Sequence, residues 1–106
     1  MKITTEEIVK INKEAGGNLR NDSSLKFAES HCRNTNSSYK CAAIWIKAIV
    51  IDRPFTDGNK RTAIAVADNL IKFKNKRKLT KAIIHIAKKN TTNIQKIKET
   101  LENANR

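Results

Sequence analysis

Residues 52 to 62 read Asp-Arg-Pro-Phe-Thr-Asp-Gly-Asn-Lys-Arg-Thr, which sets two carboxylates and three cations in eleven positions between two apolar segments. Pro54 fixes its own φ and directs Arg53 toward an extended backbone, so the apolar segment before it should end there. Phe55 supplies an apolar anchor that can pin the loop to a core. Asp57-Gly58-Asn59 has turn chemistry, and a helix starting there presents unpaired N–H groups and the positive end of its dipole. Such an end receives anions, phosphate among them. Lys60 and Arg61 in that first turn are electrostatically disfavoured unless a bound anion offsets them. Asp57 suits Mg²⁺, which usually combines one or two carboxylates with phosphate oxygens. Taken singly, each residue is explained by a plain helix cap or a solvated charge. The assembled string describes a nucleotide phosphate site.

The elements that must position this loop are helical. Thr4 with Glu7 forms a capping box, and Ile8, Ile11 and Ala15 share a face until Gly16-Gly17 stops the pattern. Asp22 or Ser23 can cap a second helix with Leu25, Ala28 and Cys32 on one face, and residues 33 to 38 read as a loop. From Tyr39 to Ile51 the chain is nearly all apolar, with Lys47 the only charge after Cys41, so this helix belongs in the middle of a bundle. After the loop, Thr62 to Phe73 form a second apolar helix whose alanines allow close approach. Lys72, Lys74, Lys76, Arg77, Lys78 and Lys81 read as a solvated connector, partly favoured by the preceding helix C-terminus. Ala82 to Lys88 predicts a short helix with Ile83 and Ile86 inward. Thr92 with Gln95 predicts a second capping box, ahead of a stripe of Ile94, Ile97, Leu101 and Ala104. The expectation is an all-α bundle of about six helices forming a single domain over residues 1–106.

Composition bounds the rest. The chain has 106 residues, enough for one hydrophobic core, and its few glycines, prolines and aromatics leave little for an all-β fold. The net charge of +12 favours anionic partners without naming one. The basic run has Phe73 as its only aromatic, so a single-strand stacking platform is poorly supported and nucleic acid ranks behind the loop's chemistry. Two cysteines, Cys32 and Cys41, do not make a zinc pattern and read as reduced thiols. No segment is signal-like or long enough to span a membrane, which points to a cytoplasmic protein without a membrane partner.

The string from Pro54 to Ala63 resembles the signature loop of the Fic/Doc family, His-x-Phe-x-(Asp/Glu/Asn)-(Gly/Ala)-Asn-(Gly/Lys)-Arg, with one mismatch in nine positions. Lys60, where Fic adenylyltransferases usually carry glycine, is similar to the Doc branch, the death-on-curing toxins. The resemblance covers nearly the whole chain, through the Gly-Gly turn, the apolar helices on either side of the motif and the short C-terminal helices. Residues 33 to 38 are shorter than the family's connection, where its target-docking flap lies. The resemblance implies ATP and Mg²⁺ as cofactors, with Asp57 as the metal-binding acid. Gly58, Asn59 and Lys60 would then meet the phosphates, and Arg61 would stabilise the transferring group. It implies transfer of the γ-phosphoryl group to a threonine of elongation factor Tu or its equivalent. The chain lacks the family's Ser/Thr-x-x-x-Glu-(Gly/Asn) inhibitory motif, so control would fall to a separate antitoxin.

The mismatch is Arg53, where the family has the histidine that takes the proton from the attacking hydroxyl. A guanidinium stays protonated and accepts no hydrogen bond, so it cannot act as a general base. His31 and His85 lie far from it in sequence and read as polar-face or packing residues. Asp52 adjoins it but, in an extended segment, would point the opposite way. Three readings stand: loss in a pseudoenzyme, altered chemistry, or a detoxifying substitution. The function expected is a Doc-like phosphotransferase weakened or silenced at Arg53. The alternatives are an AMP transferase, a non-catalytic module for an antitoxin and, last, a basic nucleic-acid-binding protein.

Overall fold

The computed structural model describes residues 3–106. Its central element is α3, Ser38–Ile46, which continues without interruption into a π-helical turn, Lys47–Ile51. The Ser37 hydroxyl starts α3 by accepting the Lys40 N–H at 3.1 Å. An apolar helix with no polar face has to be wrapped. Three helices wrap it: α2 (Ser23–Arg33), α4 (Asn59–Ile71) and α6 (Ile94–Ala104). Outside them, α1 (Thr5–Glu14) lies against α4, and α5 (Lys76–Lys89) against α4 and α6. The described residues contain no sheet, only one isolated bridge between Leu19 and Phe55. The all-α bundle of six helices is therefore as the sequence led us to expect.

Small residues set the spacing at the centre. Ala42 and Ala43 of α3 and Ala63 and Ala67 of α4 are fully buried, so the two backbones can come close. Trp45, Ile46 and Ile49 fill the space around them in one continuous core. The thiols of Cys32 and Cys41 are free, and Cys32 donates to the Cys41 carbonyl at 3.4 Å. Hydrogen bonding to Cys41, followed by burial, holds the Cys32 thiol above its usual range.

The Thr4–Glu7 capping box is present, with the Glu7 N–H donating to Thr4 Oγ1 at 3.2 Å and the Thr4 N–H to Glu7 Oε1 at 3.0 Å. Other boundaries differ from expectation. Asp22 stands at the start of α2 without capping it; its carboxylate pairs instead with Lys26 at 3.3 Å. The loop after α2 spans only 34 to 37, because Arg33 still belongs to the helix and Ser38 already belongs to α3. α5 begins at Lys76, not Ala82, because Asn75 caps it by accepting the N–H groups of Arg77 and Lys78 at 2.9 and 3.2 Å. Leu79 then lands on the same buried stripe as Ile83 and Ile86. The supposed connector is thus mostly helix. α6 is capped by Asn93, not Thr92, with Asn93 Oδ1 accepting the Lys96 N–H at 3.0 Å. Gln95 reaches forward to Glu99, so no reciprocal box forms. Among the described residues no helix is long and apolar enough to cross a membrane.

Candidate functional site

The π turn precedes the loop directly. In it the hydrogen-bond ladder shifts by one residue, so that the Asp52 N–H donates to the Lys47 carbonyl at 3.3 Å. The same spacing brings Lys47 Nζ within 3.2 Å of Asp52 Oδ2. Ser24 Oγ satisfies the neighbouring Ala48 carbonyl at 3.1 Å. Such turns recur at functional sites, where they widen a helix just before it must change direction.

The chain changes direction at Arg53. Its φ is +52°, in the left-handed region, so the extended backbone expected before Pro54 is not found. The right-handed helical region is disfavoured for a residue before proline, and the chain must turn sharply to lay Pro54 and Phe55 beside residues 18 to 21. There the Arg20 N–H donates to the Pro54 carbonyl at 2.8 Å and the Thr56 N–H to the Asn18 carbonyl at 2.9 Å. Arg20 also donates its guanidinium to the Arg53 carbonyl at 3.3 Å. A non-glycine residue held at positive φ stores roughly 1–3 kcal/mol, and these bonds hold it.

Two side chains the sequence did not mark then fix the other half of the loop. Asn12, fully buried on α1, donates Nδ2 to the Asp57 carbonyl at 2.8 Å and to Thr62 Oγ1 at 3.1 Å. Gly17 lies so close that a Cβ there would collide with the Asp57 carbonyl oxygen and the Asn12 amide. Phe55 is 1% exposed, the core anchor expected of it. Asn59 clamps it from behind, accepting the Phe55 N–H at 3.2 Å and donating to the Phe55 carbonyl at 3.0 Å. The Asn59 side chain therefore shapes the loop, and its main chain opens α4.

At that opening Gly58 takes φ +74°, and no side chain caps the helix. The Asp57 carboxylate accepts the Gly58 N–H at 2.8 Å through Oδ1. The N–H groups of Asn59, Lys60 and Arg61 have no acceptor among the described residues, the first intrahelical bond being Thr62 N–H to the Gly58 carbonyl at 2.9 Å. Arg53, Lys60 and Arg61 are exposed and form no ion pair with any described carboxylate.

All six residues singled out from the sequence, Arg53, Asp57, Gly58, Asn59, Lys60 and Arg61, line one cavity of about 400 Å³. Small-ligand clefts are of this size, roughly 300–1,000 Å³. The sequence did not mark its other walls: Ala15 at the end of α1, Val50 and Ile51 of the π turn, and Ala87 and Asn90 at the end of α5. Gly16-Gly17 was read only as the stop of α1, not as the place where the chain passes close by. Neither His31 nor His85 lines this cavity; His31 packs at a 47° tilt against Phe27 with ring centroids 4.1 Å apart, and His85 faces a groove between α5 and α6.

The arrangement concentrates unpaired donors and cations around one carboxylate. Such a site can hold a polyanion and, through the free oxygen of Asp57, a divalent cation bridged to it. No three metal-ligating side chains cluster among the described residues, so a cation here would take its remaining ligands from the anion and water. No protein-family model, curated protein or solved structure matches the chain.

Proposed function

We propose that this chain is a Fic/Doc-type domain of the Doc branch, built to bind ATP with Mg²⁺ and impaired in γ-phosphoryl transfer by Arg53. The observation that supports this most is the uncapped start of α4, with Lys60 and Arg61 in its first turn and Asp57 beside them, all on one cavity. Three free N–H groups suit phosphate oxygens, and the rigid loop presents them without reorganisation.

The roles follow from chemistry. Lys60 and Arg61 would neutralise charge on bound phosphates, and Asp57 would hold a Mg²⁺ supplying further charge stabilisation to the transferring group. Asn59 and Asn12 hold the loop in shape. The acceptor is a threonine hydroxyl of a translation elongation factor, and removal of its proton is the step this chain lacks. Arg53 lines the cavity with a permanent charge and no lone pair, so it contributes to anion binding but not to proton transfer. Loss of a general base typically lowers the rate about 10²- to 10⁴-fold. That same residue favours a second reading, a nucleotide-binding module without catalysis, whose partner would be an antitoxin.

Calorimetric titration with ATP tests the binding claim. The expected result is Mg²⁺-dependent binding that Asp57→Ala and Lys60→Ala each weaken at least several-fold. Affinity unchanged in both variants would overturn it.

A further inference from the structure

Between Asp68 and Glu99 the chain carries ten Lys and Arg and no Asp or Glu. In sequence the part from Lys72 to Lys81 looked like a charged connector. In the structure most of it is the surface of α5, which lies on the outside of the bundle. Leu79, Ala82, Ile83 and Ile86 turn inward, leaving Arg77, Lys81 and Lys88 exposed along the opposite side, with Ile84 half-exposed among them. At 1.5 Å rise per residue the ridge from Arg77 to Lys88 is about 16 Å long. Lys76 is the one cation of α5 paired with a described acid, Asp68 at 3.4 Å.

Beside the ridge runs an open groove of about 630 Å³ between the end of α5 and α6. His85, Lys89, Thr92, Asn93, Lys96 and Asn103 are among the residues that line it. Its single acid, Glu99, accepts a hydrogen bond from Gln95 at 3.2 Å. Lys, Thr and Asn side chains are the types that contact phosphate and sugar in nucleic-acid complexes. Phe73, the one Phe, Tyr or Trp in the run, is buried at 7% exposure, so the only ring at this surface is the single imidazole of His85, too little for a platform that stacks successive unpaired bases.

We propose that the α5 ridge and the α5–α6 groove bind the phosphate backbone of a nucleic-acid duplex, without base readout. A surface of dense cations and short polar side chains, with Ile84 its one large exposed apolar side chain and no Phe, Tyr or Trp, suits a regular array of phosphates better than a folded acidic protein, whose contacts bury several apolar and aromatic groups. This surface shares no lining residue with the cavity at α4, though both border the end of α5, and duplex binding is read separately from nucleotide binding there.

Fluorescence anisotropy with the full chain tests it, using a labelled mixed-sequence DNA duplex of about two helical turns, an RNA duplex of the same sequence, and poly-L-glutamate as competitor. At least one duplex should bind at 50 mM salt, with log affinity falling linearly against log salt; whichever binds more tightly identifies the natural source of the backbone. Lys81→Glu with Lys88→Glu should weaken binding at least 10-fold and lower the salt slope by about two, and the milder Lys81→Gln/Lys88→Gln pair should lower the slope similarly. Lys10→Glu with Lys13→Glu, the same charge change placed on α1, should alter affinity less than about twofold. Equal losses from both Glu pairs would mean diffuse charge alone and would overturn the proposal. So would failure of both duplexes to bind, or competition by polyglutamate at charge concentrations equal to the duplex's.

Discussion

In the proposed function Arg53 is the residue on which catalysis turns, and its backbone conformation was the least legible feature of the loop. The proline after it pointed to an extended residue; its φ of +52° came from contacts with residues 18 to 21 that local sequence does not encode. Asn12 was equally hidden, because a polar residue on a short helix reads as solvent-facing until the partner loop is in place. Gly17 was legible as a helix stop but not as a point of close approach. Gly17→Ala should cost about 1–3 kcal/mol in urea unfolding, since the new methyl must displace the Asp57 carbonyl. It should also weaken nucleotide binding. Gly16→Ala meets no atom within 4 Å and should cost only the penalty of its positive φ, about 1 kcal/mol, without loss of binding.

At the level of elements, helices with a clear apolar stripe or an all-apolar run could be read directly, and their ends less well. Asn75 and Asn93 cap α5 and α6, yet an asparagine among lysines or threonines is not a distinctive start signal. The π turn left one trace, the five-residue spacing of Lys47 and Asp52. A cross-helix tie was also invisible: Glu29 of α2 accepts both the N–H and hydroxyl of Thr5 at the start of α1, at 2.8 and 2.7 Å. These bonds, with Arg33 at 3.0 Å, lower the Glu29 pKa below its usual value. A carboxylate whose folded pKa is depressed stabilises above its unfolded pKa, near 4.5, and that stability is lost as pH falls through the folded value. Glu29→Gln should therefore lower stability by about 1 kcal/mol at pH 7, and the gap from the parent protein should narrow as the pH falls below 4.5 toward the lowered folded value. Thermal melts across that range measure it. A gap that persists unchanged in acid would assign the effect to packing instead of charge.

The whole molecule places its cavity where helix ends meet. The last turn of α1, the π turn, the start of α4 and the end of α5 converge there, held by a core that α3 organises. The motif was readable because it is contiguous; the walls from α1 and α5 were not, because they depend on how helices cross. The most direct test of the central claim compares the parent chain with Arg53→His, each incubated with Mg²⁺ and either γ-labelled or α-labelled ATP in a cell extract. The account predicts transfer of the γ label to an elongation-factor-sized protein, about 10²- to 10⁴-fold faster with the histidine than with Arg53. Transfer of the α label would make the site an adenylylating one. No transfer of either label by Arg53→His, in a variant that still binds ATP, would contradict the phosphotransferase account.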